Sequence, residues 1–391
     1  MMPPRMAASA DFSPIDNEPP LRWLRRLHLV PADGLGAGRR ALFMALLSWL
    51  PIAAWALLTD RRADTSAGES LLHHYGVHVR CLIVIPLLIL AEPMLQRKLK
   101  SIAAKLAQIA FADPPMRERF DAATRAVVRL WDASLPWVLA IGVAIAWSLV
   151  DRPHEYEDAL SWAIDGRGAL GFGGWWFGYV VRPIFLVLLL GWLWRILLVG
   201  WWFWRIGKLD LSLVPTHPDR TGGIAFVAKL PSAFALVSLA LSAQLAARWA
   251  HEILHHAASL AAYRQPVILF VVLWTLLLLL PLFGLMPALN RVRRRSLAEY
   301  SQLVGKQGRL VHRRWIEGAQ VGAEPILDAP EIGPVADAAA MYDAVKKMRR
   351  APIGKTSLVG IIVPLAIPLV LTAALQIPLK DLLLKLAKAL V

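Results

Sequence analysis

An all-α, polytopic transmembrane bundle of six or seven spans is the fold class this sequence predicts, and three observations predict it. Hydrophobic residues make up 57% of the 391 residues and charged residues only 18%, against roughly 45–50% and ~25% in soluble domains. The apolar residues are sorted into blocks: Pro266 to Leu289 holds no charged side chain, and about 20 apolar residues at ~1.5 Å each cross the ~30 Å hydrocarbon core. The 17 Trp gather near the block ends, among them Trp131, Trp137, Trp175, Trp202 and Trp249. An indole, with its apolar ring and single N–H, prefers the headgroup zone there.

Residues 1–40 read as a tail. The first 20 residues are polar and Pro-rich and are expected to be disordered. Leu21 to Val30, with Leu21, Leu24 and Leu27 on one side and three Arg on others, predicts a short interfacial helix. No apolar core of a signal peptide follows Arg5, so the first apolar run is expected to be retained.

Residues 41–289 form the bundle, with spans expected near 41–58, 81–95, 135–150, 178–203, 224–247 and 267–289. Residues 290–357 predict a basic helical segment with two amphipathic helices, one carrying Leu297, Tyr300 and Val304, the other Met341, Val345 and Met348. Residues 358–391 hold a last apolar stretch broken by Pro364 and Pro368, either a seventh span or a re-entrant hairpin. A C-terminal amphipathic helix, KDLLLKLAKALV, follows it.

Charge orders the connections. Segment 96–131 carries eight Lys/Arg, opening with Arg97, and segment 290–357 carries thirteen, opening with Arg291; segment 151–174 has only Arg152 and Arg167 against five acids. The positive-inside rule then puts the N-terminus, 96–131, 204–223 and 290–357 in the cytoplasm. The net charge of +15 is explained by these loops facing an anionic leaflet, so lipid bilayer and anionic lipids at the cytoplasmic face are the expected partners. No nucleic acid is expected, because no aromatic–basic RNA motif or zinc finger occurs; a homo-oligomer stays open. The single cysteine, Cys81, rules out an intrachain disulfide.

Three groups of residues carry candidate chemistry. His251-Glu252-Ile253-Leu254-His255 is an H-E-x-x-H string: on a helix both imidazoles share a face and can bind zinc, with Glu252 as general base. His73, His74, His78, His154 and His256 are expected on the same outer side. No third ligand is evident; Glu69, Asp158 and His78 are the nearest options. The alternative in which these histidines only meet water and headgroups is the simpler one. The second group is the loop His217, Pro218, Asp219, Gly222 and Gly223, expected to be an ordered elbow whose Asp219 caps the next segment and whose glycines supply tight backbone. The third is charge inside the bilayer. Arg195 falls deep in the fourth span and Glu92, before Pro93, in the same half of the second; leaving Arg195 unpaired would cost several kcal/mol, so an Arg195–Glu92 pair is expected. Ser238 and Ser242 share a face suited to close helix packing.

The 217–223 loop together with PLVLTAALQIPLKDLLLKL near the C-terminus resembles an uncharacterised family of bacterial polytopic membrane proteins, over about residues 205–391. The resemblance implies membrane class and a bacterial inner-membrane setting. It implies no activity and no functional residue.

The function class expected first is passage of a small solute or ion, on the strength of intramembrane charge, Pro-broken spans and the lack of a soluble catalytic domain. No cofactor is then required. A membrane-bound zinc enzyme at His251, Glu252 and His255 is one alternative. A scaffold or sensor acting through 290–357 is another.

Overall fold

A computed structural model describes residues 14–26, 30–31, 34–59, 71–110, 114–150, 163, 170–255, 259–318 and 333–376. The described residues form a helical bundle: α1 (Pro19–Arg26), α2 (Ala37–Leu58), α3 (Tyr75–Ile109), α4 (Pro114–Val150, broken at 132–134), α5 (Phe172–Gly207), α6 (Ala225–His255), α7 (Leu260–Phe283), α8 (Met286–Val311), α9 (Gly333–Lys346) and α10 (Lys355–Ala373). Seven of these, α2 to α7 and α10, are long and apolar enough to cross a membrane. Their outward faces are apolar: Leu46 and Leu50 on α2, Leu269 and Leu273 on α7, and Ile362 and Val363 on α10 are all exposed. Ser238, Ser242, Ser357 and Arg195 are buried. Greasy surface outside and polar groups inside is the arrangement lipid selects and water penalises. The protein is a multi-pass integral membrane protein.

The last apolar stretch is one continuous helix, α10, with Pro364 and Pro368 inside it, long and apolar enough to cross a membrane. Segment 96–131 is helical rather than a loop among the described residues: α3 runs on to Ile109 and α4 begins at Pro114, and the two form a basic helical hairpin. The reason is amphipathic spacing, which buries Leu99, Ile102 and Leu106 of α3 and Phe120 and Val127 of α4. In the 290–357 segment, α8 and α9 pack on each other, and Val345 and Met348 are buried whereas Met341 is exposed.

Contacts define two ends. At the basic end, the Arg22 guanidinium donates to the Asp132 carbonyl (2.8 Å), Arg291 pairs with Asp210 (2.6 Å), and the Arg349 N–H donates to the Arg220 carbonyl (2.7 Å). At the other, the Leu260 N–H donates to Gln376 (2.9 Å), and His74 lies against His251.

Proline and hydroxyl groups shape the helices between. Turns of wider, π-helical pitch at Arg80–Val84 and Phe177–Val181 lie just before Pro86 and Pro183. The proline ring would strike the carbonyl four residues back, and the wider turn relieves that clash. Between α6 and α10, Ser242, Ser357 and Thr372 donate to the carbonyls of Leu365 (2.5 Å), Ala228 (2.7 Å) and Ala246 (3.2 Å), stitching two small-residue faces together. Ser238 accepts the Trp274 indole N–H of α7 (2.9 Å).

Candidate functional site: a buried ion network at the basic end

Glu92 sits just after the break in α3. Pro93 has no N–H to donate, the helix turns at Ala91, and the nearby Leu88 carbonyl takes the Trp192 indole N–H at 3.0 Å. This break aims the Glu92 carboxylate at α5 and α2. The structure places Arg195 Nη2 2.9 Å from Glu92 Oε1. It then adds two partners. Arg40 of α2 donates to Glu92 Oε2 at 2.6 Å. Glu18, the residue before α1, receives the Arg195 fork, Nε to Oε1 at 2.9 Å and Nη2 to Oε2 at 2.5 Å. The Trp131 indole N–H donates to the same Glu18 Oε1 at 2.8 Å.

All four charged groups are buried; Arg195 and Glu92 are each 2% exposed and Glu18 1%. Two cations face two anions, so the network is neutral. Neutrality is what lets it lie in a low-dielectric interior, where an unmatched ion costs several kcal/mol. The guanidinium of Arg195 also lies 4.9 Å from the Trp192 ring centre and 5.7 Å from that of Trp137, in cation–π range. Trp137 reaches it because Gly191 has no side chain: a Cβ there would sit 2.6 Å from the Trp137 ring.

Local sequence explains how Glu18 gets there. Ile15 and Leu21 are fully buried beside Leu95, Leu99 and Trp131. The backbone carbonyl of Glu18 accepts the Arg22 N–H as α1 begins (3.0 Å). Pro19 and Pro20 open the helix without N–H groups that would need a cap, so the Glu18 carboxylate is released from capping and turns inward. Gln96 holds the preceding Asp16 at 2.8 Å. The expected disorder of residues 1–20 therefore fails for 14–18, because two apolar side chains and one acid find tertiary partners. Trp131 and Trp202 likewise leave the headgroup zone: both are fully buried, their N–H groups given to Glu18 and to Thr124 (3.2 Å).

Glu18 and Arg40 are the residues sequence reasoning missed. Arg40 sits at the mouth of a span, where a basic residue reads as a flank. The only trace of Glu18 is an acid just ahead of an amphipathic run. A further membrane-embedded cation, Arg80, was not singled out either; its Nε meets Gln244 at 3.2 Å, and its guanidinium lies over Phe177 and Phe185.

The loop before α6 is an ordered elbow. Asp219 accepts N–H groups of Thr221 (2.8 Å), Gly223 (3.2 Å) and Ala225 (3.0 Å). Partial burial pushes its carboxyl up, but these backbone donors outweigh burial and hold it below the usual carboxylate range. Gly222 (φ +69°) and Gly223 (φ +94°) take left-handed backbone, which a Cβ would strain. His217 Nδ1 lies 2.9 Å from Asp219, and the loop faces α9 across a groove of about 290 Å³ lined by His217, Arg220, Asp343 and Lys347.

At the far end, His251 and His255 of α6 come together with residues before α3: ring centres are 4.8 Å apart for His74–His251, 4.9 Å for His251–His255 and 5.7 Å for His73–His255. Glu252 is engaged elsewhere: Arg248 reaches its Oε1 at 3.2 Å and the Tyr263 hydroxyl donates to its Oε2. His78 accepts from or donates to neighbours in α2 and at Leu71: Trp49 donates to its Nδ1 (2.9 Å) and its Nε2 lies 2.8 Å from the Leu71 carbonyl. Among the described residues no group of three or more His, Cys, Asp or Glu is arranged to hold a metal ion. Glu69, His154, Asp158 and His256 lie outside the described residues, as does the KDLLLKLAKALV stretch.

Fold and site together define a multi-pass helical membrane protein with a sealed, neutral ion network at one end of the bundle. No family model, curated protein or solved structure matches the chain.

Proposed function

We propose that this protein passes a small solute or ion across a bacterial inner membrane, with the Arg195 network as its working site, the basic end in the cytoplasm and the histidine end outside. One observation carries the reading: four charged side chains from α2, α3, α5 and the N-terminal segment meet inside the bundle. Packing alone does not require them, since apolar residues of similar volume stabilise a bundle as well or better. The orientation follows the positive-inside rule applied to the basic hairpins. Anionic lipid at that face is supported by a groove of about 370 Å³ lined by Arg119, Trp204, Arg205 and Lys208, with Lys208 Nζ 3.4 Å from the Trp204 ring centre.

Osmotic swelling of proteoliposomes in isosmotic panels of small solutes and salts tests the reading. Some solute is expected to enter faster than into empty vesicles, and Arg195→Lys, which keeps the charge but loses the fork, is expected to abolish that entry while still purifying as a folded protein. Entry no faster than into empty vesicles for every solute, or full entry with Arg195→Lys, counts against it.

A zinc site at His251 and His255 is the second reading, favoured by the gathering of four imidazoles. Against it stand Glu252, whose two oxygens are already bonded, and the arrangement of the described residues, in which no three ligands are placed to hold a metal. Zinc bound to the purified protein at one equivalent, and lost in His255→Ala, is the result it requires.

A further inference from the structure

We infer that the Arg195–Trp131 pocket is a binding site for a small free monocarboxylate, and that Glu18 is the chain's own occupant of it. The inference rests on the Arg195 network being the working site and names the class of ligand that site takes.

The groups that receive the carboxylate all belong to the bundle. Arg195 of α5 offers two parallel N–H groups, at 2.9 and 2.5 Å, and Trp131 of α4 a third at 2.8 Å. A guanidinium fork plus one further N–H is how proteins hold a free carboxylate with both oxygens satisfied. The group that fills the pocket is supplied from outside the bundle, by a segment ahead of an eight-residue helix. That segment is anchored by the buried Ile15 and Leu21 and, at its edge, by exposed contacts such as Arg22 to the Asp132 carbonyl.

Charge fixes what can replace it. With Glu18 withdrawn, Arg195, Arg40 and Glu92 remain, a buried site of net charge +1. Glu92 does not leave with it, because it is rooted in α3 and bonded to both arginines. The vacancy therefore calls for one negative charge. A dianion would overcharge it, and a neutral solute would leave the Arg195 fork unmatched. The site is also donor-rich: among the described residues the buried Arg40 Nε meets no acceptor. A planar anion that accepts from two parallel donors, on an apolar body no larger than the Glu18 side chain it replaces, is a short-chain monocarboxylate. Entry of such an anion from the basic side requires residues 14–26 to move out, so the segment and the ligand exclude each other.

Two measurements on the full-length protein in detergent test this, with sodium acetate as probe and sodium chloride at equal ionic strength as control. In the wild type, acetate is expected to speed trypsin cleavage at Arg22, Arg25 and Arg26 by about twofold or more as the segment is displaced, and chloride to leave it unchanged. In Glu18→Ala, acetate is expected to raise the melting temperature by several degrees, with no such rise in the wild type or in Glu18→Ala/Arg195→Gln. Should Glu18→Ala not purify as a folded protein, the cleavage assay alone decides. Cleavage that acetate and chloride affect equally, or an acetate shift that survives loss of Arg195, overturns the inference. Failure here with solute entry intact removes the carboxylate and leaves the transport reading standing; acetate binding without any solute entry does the reverse.

Discussion

Both ends of the bundle gather titratable groups, and they treat them in opposite ways. At the basic end, four charged side chains are buried, charge-matched and bonded to one another at 2.5 to 2.9 Å. At the other end, His73, His74, His251 and His255 meet by ring contact at 4.8 Å and beyond, with His255 exposed. The first is one continuous network of ion pairs. The second is a cluster of aromatic rings. The difference teaches that a short motif and a charge-matched network are separate things: the sharpest string in the sequence lies at the end without the ion network.

The largest expected effect is loss of Arg195. Arg195→Gln strands Glu18 without its fork and leaves Glu92 with Arg40 alone, so two carboxylates share one cation in the interior. Breaking a buried pair this way costs about 3–5 kcal/mol, and a fall of many degrees in the melting temperature of detergent-purified protein is expected. The double variant Glu18→Gln/Arg195→Gln should lose clearly less than the two single losses added together. Strict additivity would show that the four groups are not one unit and would dissolve the contrast between the ends.

A smaller effect is expected at the elbow, also at the basic end. Asp219→Ala removes the acceptor of three backbone N–H groups and should cost about 1–3 kcal/mol. The same contact has a signed pH dependence. Because the folded-state pKa of Asp219 is lowered, its contribution is complete above the ordinary aspartate pKa of about 3.9 and is lost as pH falls through the lower folded value. Melting curves of wild type and Asp219→Asn taken from pH 6 downward should therefore converge at the acid end. Curves that stay parallel would mean that the carboxylate charge contributes nothing and that the elbow is held by its glycines.

What was legible beforehand divides along the same lines. Spans are written as runs of apolar residues, so the bundle could be read directly, and so could Arg195 and Glu92, since a charge within such a run has to find a partner. The Asp219 cap was legible because the backbone donors it accepts from lie within six residues. Glu18 was not, since its partner stands 177 residues away and nothing in Asn-Glu-Pro-Pro distinguishes a buried acid from one on a tail. Arg40 was hidden by the ordinary presence of basic residues at span ends. The buried Trp131 and Trp202 misled for a related reason: an indole at a boundary looks the same in sequence whether its N–H meets a headgroup or a carboxylate. The helical hairpin at 96–131 was hidden by its eight Lys and Arg, which mask the spacing of Leu99, Ile102 and Leu106.

The smallest effect is expected at the histidine end, and it is the one most able to overturn the comparison. His255 is exposed, and His251 only half-buried. Alanine at His255 should stay within about 0.5 kcal/mol of wild type, as most surface substitutions do. Zinc followed by a chelator should leave the melting temperature unmoved, because a metal stabilises a fold only in proportion to its preference for the folded site. If zinc instead raised the melting temperature by several degrees, and His255→Ala erased the rise, the imidazoles would have to close around the ion from their present spacing. Ring centres about 5 Å apart permit that closure, since two imidazoles on one zinc at ~2.0–2.1 Å from nitrogen to metal sit at about that separation. Such a rise would make the histidine end a site that forms on binding, and the two ends would then differ in when they become ordered rather than in whether they do.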